Sequence, residues 1–505
     1  MLRLIAPADM QACEKYYFET SGIPSIDIME NAARALADTA LERFPDAKTV
    51  YIACGPGGNG GDGYACARLL KEKGIESTVF ATAPAKSADA IENARRAEAC
   101  GIEIITESLP DHQPDLWIDC IYGTGLSRAP SGFALDLLCR IHYDHFRGCG
   151  VIACDIPSGL NGYTGIAYPG CVPCDITVTF QIPKYGLYLQ DGLDRCGEII
   201  TADVGFPGEA FPEDVHCLMQ KNDLKFAIPK RWKRNVHKGS CGHLLIVAGS
   251  FGMAGAAALC AKAALRSGVG LVSIACPQSI VSILQTLAPC AMCIPLPEEN
   301  GAISADALPV LKEALKSKTG VAIGCGLTQK VPEEIIRAVL ESEIPAVIDA
   351  DAINIIAKSV DLLSLLRECH ILTPHPGEAA RITGKKEDDP VAWTQKIASL
   401  GATVVLKGAS RVIASKKITL LSASGACGMA RGGSGDVYTG ILGAVIAASS
   451  VQKPAYSAVL PMLAAAAAEI HGLAGELAQE KYGAHAMNSA DIIEFLPEVF
   501  KKYVE

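Results

Sequence analysis

Two glycine-rich turns, each leading to an acidic residue, are the parts of this 505-residue sequence best suited to chemistry. The first runs from Gly55 to Gly63 and places G-x-G-x-x-G on Gly55, Gly57 and Gly60. Missing side chains let backbone N–H groups approach a phosphate, and a following helix would add its positive end. Alone, the pattern also fits a tight structural turn. The next strand ends at Ala81-Thr82, with no carboxylate to hold a ribose 2′-hydroxyl, so ordinary NAD-dependent hydride transfer is not favoured. Two acidic strand ends follow, Asp119 and Asp155. Either one alone reads as a turn or helix cap. Because ligands bind outside the carboxyl ends of parallel strands, the glycines and both carboxylates together predict one crevice.

The second turn is Ala430-Arg-Gly-Gly-Ser-Gly-Asp436, running straight into an apolar helix. Backbone amides at such a helix start can form an anion hole for developing phosphate charge. Asp436 would then accept a proton from an attacking hydroxyl. A plain helix cap is the competing reading. No G-K-[ST] follows, so this is not a Walker loop.

The elements that must hold these residues alternate along the chain. Strands are predicted at 49–54, 77–81, 116–121, 151–155 and 176–180, with a helix near 64–73 after the glycine turn. A second alternation is predicted from strands at 243–248, 271–275, 321–324, 346–349, 371–373 and 403–406. Helices are expected at 254–267, 434–449 and in the alanine-rich stretch after Met462. Strands separated by helix-length segments imply parallel sheets covered on both faces. Between them lie Pro207, Pro212, Pro229 and the basic run Lys230–Arg234, which predicts domains at residues 1–214 and 222–505.

Composition narrows the function classes. Hydrophobic residues make up 50% and charged residues 20%, enough to fill two cores. A net charge of −10 and 6% aromatic residues argue against a nucleic-acid or anionic-membrane surface. The apolar stretch from Ala455 to Ala468 contains Ser457 and Pro461 and falls short of a membrane span. No signal peptide is read before Asp9, so the twenty cysteines are expected as reduced thiols in a cytoplasmic protein. The pairs Cys171/Cys174 and Cys290/Cys293 lack histidines at finger spacing, and a zinc site is not favoured.

Met29-Glu-Asn31, Gly58-Asn-Gly-Gly-Asp-Gly63, Tyr122-Gly-Thr-Gly-Leu126, Asp155-Ile-Pro-Ser-Gly159 and Thr177-Val-Thr-Phe180 resemble, in order, the YjeF amino-terminal family. That resemblance implies a Rossmann-like three-layer α/β domain that epimerises the R and S forms of hydrated NADH or NADPH. It also implies a potassium ion on Asn59, Asp119 and Ser158, oxygen donors that suit a hard cation. The implied substrate contacts are Gly58, Asn59, Gly60, Gly61 and Asp62, the loop Gly123, Thr124, Gly125, Leu126, Ser127, Arg128 and Ala129, and Asp155. Asp155 is the implied proton-transfer group. Gly58 stands where the family has a first Asn.

Further on, His237-Lys-Gly-Ser240, Ala248-Gly-Ser-Phe-Gly-Met-Ala-Gly-Ala256, Asp349-Ala-Asp-Ala-Ile-Asn354, Leu372-Thr-Pro-His-Pro-Gly-Glu378 and Leu406-Lys-Gly408 resemble the YjeF carboxy-terminal family. This second resemblance implies a ribokinase-like α/β domain with ADP- or ATP-dependent NAD(P)HX dehydratase activity. Hydroxide leaves poorly at neutral pH, whereas a phosphate with a second pKa of about 6 leaves readily. Asp436 is the expected base, with Ala256, Gly326, His375 and Asp436 on the substrate. The nucleotide contacts are expected from Lys407, Gly408, Ala409, Ser410, Arg411 and Gly435, with Mg2+ carried by the phosphates. Three departures accompany the match. Arg431 and Arg411 replace usual threonines, adding two guanidinium groups that would grip or crowd nucleotide phosphates, and Gly324-Cys-Gly-Leu-Thr328 replaces G-P-G-L-G.

The expected partners are the hydrated coenzyme, an adenine nucleotide and further copies of the chain in a homo-oligomer. The competing reading is a ribokinase-like small-molecule kinase with an accessory nucleotide-binding domain.

Overall fold

The structure is a computed structural model that describes residues 1–212, 216–228, 234–452 and 456–505. The sequence boundary at 214 and most of the basic run at 230–234 lie outside the described residues, as does Ala455. Two compact units are present, Arg3–His216 and Cys217–Glu505, the latter joined by Met1–Leu2.

The first unit is built on seven strands. Their order is Glu103–Thr106, Glu76–Ala81, Thr49–Cys54, Leu116–Cys120, Gly150–Cys154, Ile176–Phe180, Glu198–Ala202. All are parallel. The chain turns outward in one direction from Thr49–Cys54 and then resumes on its other side at Leu116–Cys120, with Val50 opposite Leu116 and Cys54 opposite Cys120. That reversal opens a crevice at the carboxyl ends of these two strands. Alternation along each strand feeds two cores. Ile52, Ile118 and Ile152 pack on one face with Leu36, while Ala53, Trp117 and Val151 pack on the other with Leu137.

Two edge strands, Glu103–Thr106 and Glu198–Ala202, were not expected from sequence. Both carry exposed or half-buried residues, so they lack the apolar run that marks an interior strand. The helix expected near 64–73 begins earlier, at Gly58, and runs to Glu72. Its first turns are therefore made of the glycines read as loop. The reason is crowding: a side chain on Gly60 would lie 1.8 Å from the Gly55 carbonyl oxygen, and one on Gly55 would lie 1.9 Å from that of Ile121. Only glycine lets these three segments touch.

The second unit has a larger sheet. Nine of its strands run in the order Met292–Leu296, Leu271–Pro277, His243–Val247, Gly320–Ile323, Ala346–Ile348, His370–Leu372, Thr403–Leu406, Arg411–Ala414, Thr419–Ser422. The first seven are parallel and the last two pair antiparallel. Here the direction of travel reverses at His243–Val247 and Gly320–Ile323. Leu244 and Ile246 enter one core, and Leu245 and Val247 the other. Helices Ala254–Arg266 and Ser434–Ser449 cover the first of these cores. They approach so closely that a side chain on Gly440 would meet the Cys260 carbonyl oxygen at 2.2 Å.

Among the described residues no helix is long and apolar enough to cross a membrane. The buried cysteines, from Cys54 to Cys369, are free thiols.

Candidate functional sites

In the first unit, Asp155 follows directly on strand Gly150–Cys154 and adopts φ 65°, a left-handed backbone rarely taken by non-glycine residues. It is 7% exposed. Its Oδ1 accepts hydrogen bonds from the Lys184 ammonium at 2.5 Å and from the Thr179 hydroxyl at 3.0 Å. Lys184 is itself 1% exposed, so a complete ion pair stands inside the protein. Such a pair is tolerated only when its members satisfy one another.

Two further carboxyls surround this pair. Asp62 is buried in the glycine-rich helix start, and burial, then Asp155 and Glu14, push its pKa well up. Glu14 comes from helix Pro7–Ser21, and burial raises it to about 7, partly offset by Lys184. One turn earlier, Gln11 donates to the Thr124 hydroxyl at 3.1 Å. The amino-terminal helix thus lies across the loop that sequence placed at the substrate. Glu14, Gln11 and Lys184 were not singled out from the sequence, since each arrives from a segment without a motif, and Thr179, within the Thr177–Phe180 run, was given no role of its own.

Asp119 is fully buried and accepts from the Ser158 hydroxyl at 2.6 Å and the Ser158 amide at 2.8 Å. The Ser158 hydroxyl oxygen in turn accepts from the Tyr122 amide at 2.8 Å. Asn59 lies against the same loop, its Oδ1 2.9 Å from where a Gly123 side chain would begin. Its buried Nδ2 has no hydrogen-bond partner. The structure therefore brings Asn59, Asp119 and Ser158 to one loop cluster. Asp119 has no ion-pair partner among the described residues, and burial raises its pKa. The oxygen-rich set and the uncompensated buried carboxyl fit a hard cation. Beyond Thr124, Gly125, Ser127, Arg128 and Ala129 are exposed at the rim, with Leu126 half-buried.

Beneath this crevice lie four buried thiols, Cys54, Cys66, Cys120 and Cys154. Cys154 approaches the Asp62 carboxylate at 3.8 Å. Burial raises all four thiols.

In the second unit, strand ends converge on the start of helix Ser434–Ser449. Asp349 follows strand Ala346–Ile348, accepting from Lys407 Nζ at 2.5 Å and from the Thr439 hydroxyl at 2.7 Å. Despite its burial, Lys407 and these hydrogen bonds hold its pKa below the ordinary value. Lys407 follows strand Thr403–Leu406. A side chain on Gly435 would sit 3.5 Å from Lys407 Nζ, so this glycine leaves the ammonium open. Asp436, next in the chain, is raised to about 6, chiefly by burial, with Asp349 adding repulsion.

Gly326 takes φ 64° and its carbonyl accepts from Ser250 at 2.8 Å. A side chain there would meet Ala256 and Met253 at 3.0 Å, so Gly326 and Ala256 share one wall. His375 caps helix Pro376–Thr383: its Nδ1 accepts from the Gly377 amide at 2.9 Å, and Glu378 returns a bond to its backbone. The ring stays 52% exposed. Glu378, raised to about 7 by burial, went unassigned in the sequence, as did Asp349. Gly408 and Ala409 are exposed, whereas Ser410 and Arg411 are buried.

The two arginines depart from expectation. Arg411 is 8% exposed and donates to His471 Nδ1 at 2.7 Å and to the Ser424 carbonyl at 3.3 Å. Arg431 donates to the carbonyls of His485 at 2.5 Å and Ala484 at 3.3 Å. The Arg411 guanidinium is buried and engaged by the protein itself, whereas Arg431 is exposed and held through its Nη2. Among the described residues no three His, Cys, Asp or Glu side chains group to hold a metal ion.

Comparison with known proteins extends over both units. Residues 25–186 match the family described as YjeF-related protein N-terminus, and residues 244–498 match the NAD(P)H-hydrate dehydratase family. Bifunctional NAD(P)H-hydrate repair enzyme Nnr of Moorella thermoacetica is 34% identical, over 99% of this chain and 97% of that protein. The protein of the same name from Thermofilum pendens is 34% identical, over 98% and 94%. A solved ADP/ATP-dependent NAD(P)H-hydrate dehydratase from Bacillus subtilis, co-crystallized with ATP/Mg2+, is 26% identical with a TM-score of 0.46, covering 57% of this chain and 99% of that one. Matched along nearly its whole length by such relatives, the chain belongs to the family of bifunctional NAD(P)H-hydrate repair enzymes.

Proposed function

We propose that the first unit, residues 1–214 by sequence, interconverts R- and S-NAD(P)HX, and that the second, residues 222–505, dehydrates the S form using ADP or ATP. One observation supports both assignments. In each unit a carboxylate stands beside a glycine-rich helix start at the carboxyl ends of parallel strands.

In the first site, Asp155 exchanges a proton with the epimerising centre, while Lys184 and Thr179 hold its Oδ1 in place. The loop from Gly123 to Ala129 and the helix start from Gly58 to Asp62 enclose the nucleotide. Asn59, Asp119 and Ser158 would hold a potassium ion, whose charge would offset the buried carboxylate and order the loop.

In the second site, Asp436 takes the proton of the hydrate hydroxyl as its oxygen attacks the terminal phosphorus. The bond to the departing nucleotide oxygen breaks, releasing AMP from ADP or ADP from ATP. Phosphate then leaves with the C–O electron pair, and loss of a neighbouring ring proton restores NAD(P)H. Lys407 and the amides around Gly432–Gly435 receive the phosphate charge. Ala256, Gly326 and His375 contact the hydrated ring. Gly408, Ala409 and Ser410 contact the nucleotide through backbone, and Mg2+ enters with its phosphates rather than through a protein cage. The protein works in the cytoplasm as a homo-oligomer.

Chemically hydrated NADH, supplied with ADP or ATP in separate reactions, tests this reading. Recovery of the reduced-nicotinamide absorbance is expected. Accumulation of a stable phosphorylated alcohol would instead identify a kinase.

A further inference from the structure

The departure at position 411 leads to a group that the proposed chemistry leaves unused. We propose that Arg411 and His471 form a positioning relay that fixes the Ser434 hydroxyl as a hydrogen-bond donor to nucleotide phosphate. This deepens, and rests on, the reading of Gly432–Gly435 as the nucleotide's anion site.

The relay follows from donor and acceptor inventory. Guanidinium carries five N–H donors and no acceptor, so at 2.7 Å His471 Nδ1 must offer its lone pair to Arg411. A neutral imidazole then carries its single hydrogen on Nε2. The ring stays neutral because it is 2% exposed and faces a cation, and burial and Arg411 both depress its pKa far below the usual value. Nε2 faces the Ser434 hydroxyl oxygen at 3.4 Å. With that oxygen accepting from the ring, its own hydrogen is left for a third group. Ser434 is the first residue of helix Ser434–Ser449, where backbone N–H groups have no intrahelical partner. A hydroxyl donor there joins them in facing an anion.

The arginine is itself held from three sides. Its Nη1 donates to the Ser424 carbonyl, its guanidinium stacks 5.7 Å from the Tyr438 ring centre, and strand Arg411–Ala414 fixes its backbone. Glu469, two residues before His471, accepts from Ser422 at 3.0 Å, anchoring the same stretch of helix Tyr456–Tyr482. A threonine at 411 would be too short to bridge to His471.

Histidine-selective ¹⁵N labelling of the full chain tests the relay, with His471→Gln assigning the signal. A hydrogen on Nε2 and a lone pair on Nδ1 are expected, with the tautomers mixing in Arg411→Met. A parent protein carrying the hydrogen on Nδ1, or an imidazolium, overturns the relay. Calorimetric titration with ADP and ATP supplies the functional arm. Ser434→Ala and Arg411→Met should each weaken binding by about tenfold, in line with one hydrogen bond to a charged group. The double variant should bind no more weakly than Ser434→Ala alone, and Arg411→Lys should recover much of the loss. Multiplying losses in the double variant would overturn the relay while leaving the nucleotide site intact. A parent chain that binds neither nucleotide overturns both.

Discussion

The two units use a buried lysine in opposite ways. In the first, Lys184 contacts the carboxylate assigned to chemistry, and Asp155 stands in a largely buried ion pair. In the second, Lys407 pairs with Asp349, one strand end away from the assigned base, and Asp436 is left with its pKa raised to about 6. Similar parts thus give different tools. A carboxylate in contact with its counter-ion is positioned before substrate arrives and suits a reversible exchange. A carboxylate without one is free to keep a proton, and the lysine beside it stays available to a phosphate.

That contrast can be broken most directly at the carboxylates. Asp155→Ala should reduce R/S interconversion to the uncatalysed background while S-form dehydration continues unchanged, as read by chromatography of the two epimers. Parallel loss of both activities would end the division of labour. Asp436→Ala should slow dehydration by roughly 10²–10⁴-fold with epimerisation intact. A twofold loss would place the base elsewhere.

The lysines offer a second comparison, through stability. Lys184→Met strands Asp155 in a buried site, and denaturant titration should register a loss of about 3–5 kcal/mol. Lys407→Met should cost less, because the Lys407 side chain is 20% exposed against 1% for Lys184. Equal losses would erase the distinction. A gentler effect is expected from pH. The base must be deprotonated to act, so the dehydratase kcat/KM should be full above about pH 7 and fall tenfold per unit as pH drops below about 6. Gly435→Ala should do least: its added methyl meets Lys407 Nζ at an ordinary 3.5 Å, raising nucleotide KM a few-fold without altering the melting point.

Much of the scaffold was legible because interior strands announce themselves. Strands such as Ile176–Phe180 and Thr403–Leu406 are buried throughout and read as unbroken β-branched and aromatic runs. Edge strands such as Glu198–Ala202 carry only exposed and half-buried residues and lose that signature. The hairpin strands Arg411–Ala414 and Thr419–Ser422 were hidden by their polar ends, Arg411 and Ser422, and by the Ser-Lys-Lys run between them. At the sites, residues carried by motifs could be named from the sequence: Asp155, Asp119, Asp436, Lys407. Lys184 and His471 were not, because their significance arises only when the fold brings distant segments together. G-x-G-x-x-G was seen at once, yet Gly55 and Gly60 serve the crossing of backbones, as their separations of 1.9 and 1.8 Å from carbonyl oxygens require.

The thiols beneath the first crevice have one more consequence. Cys54, Cys66, Cys120 and Cys154 sit on the sheet and the helix that covers it, sealed from solvent, whereas Cys100 and Cys139 of the same unit lie open. An alkylating reagent would mark the open pair at once and the sealed four only when the sheet breathes. The unit thus carries its own stopwatch: mass added per minute, residue by residue, reports how often its interior is laid bare and how far a bound coenzyme quiets it.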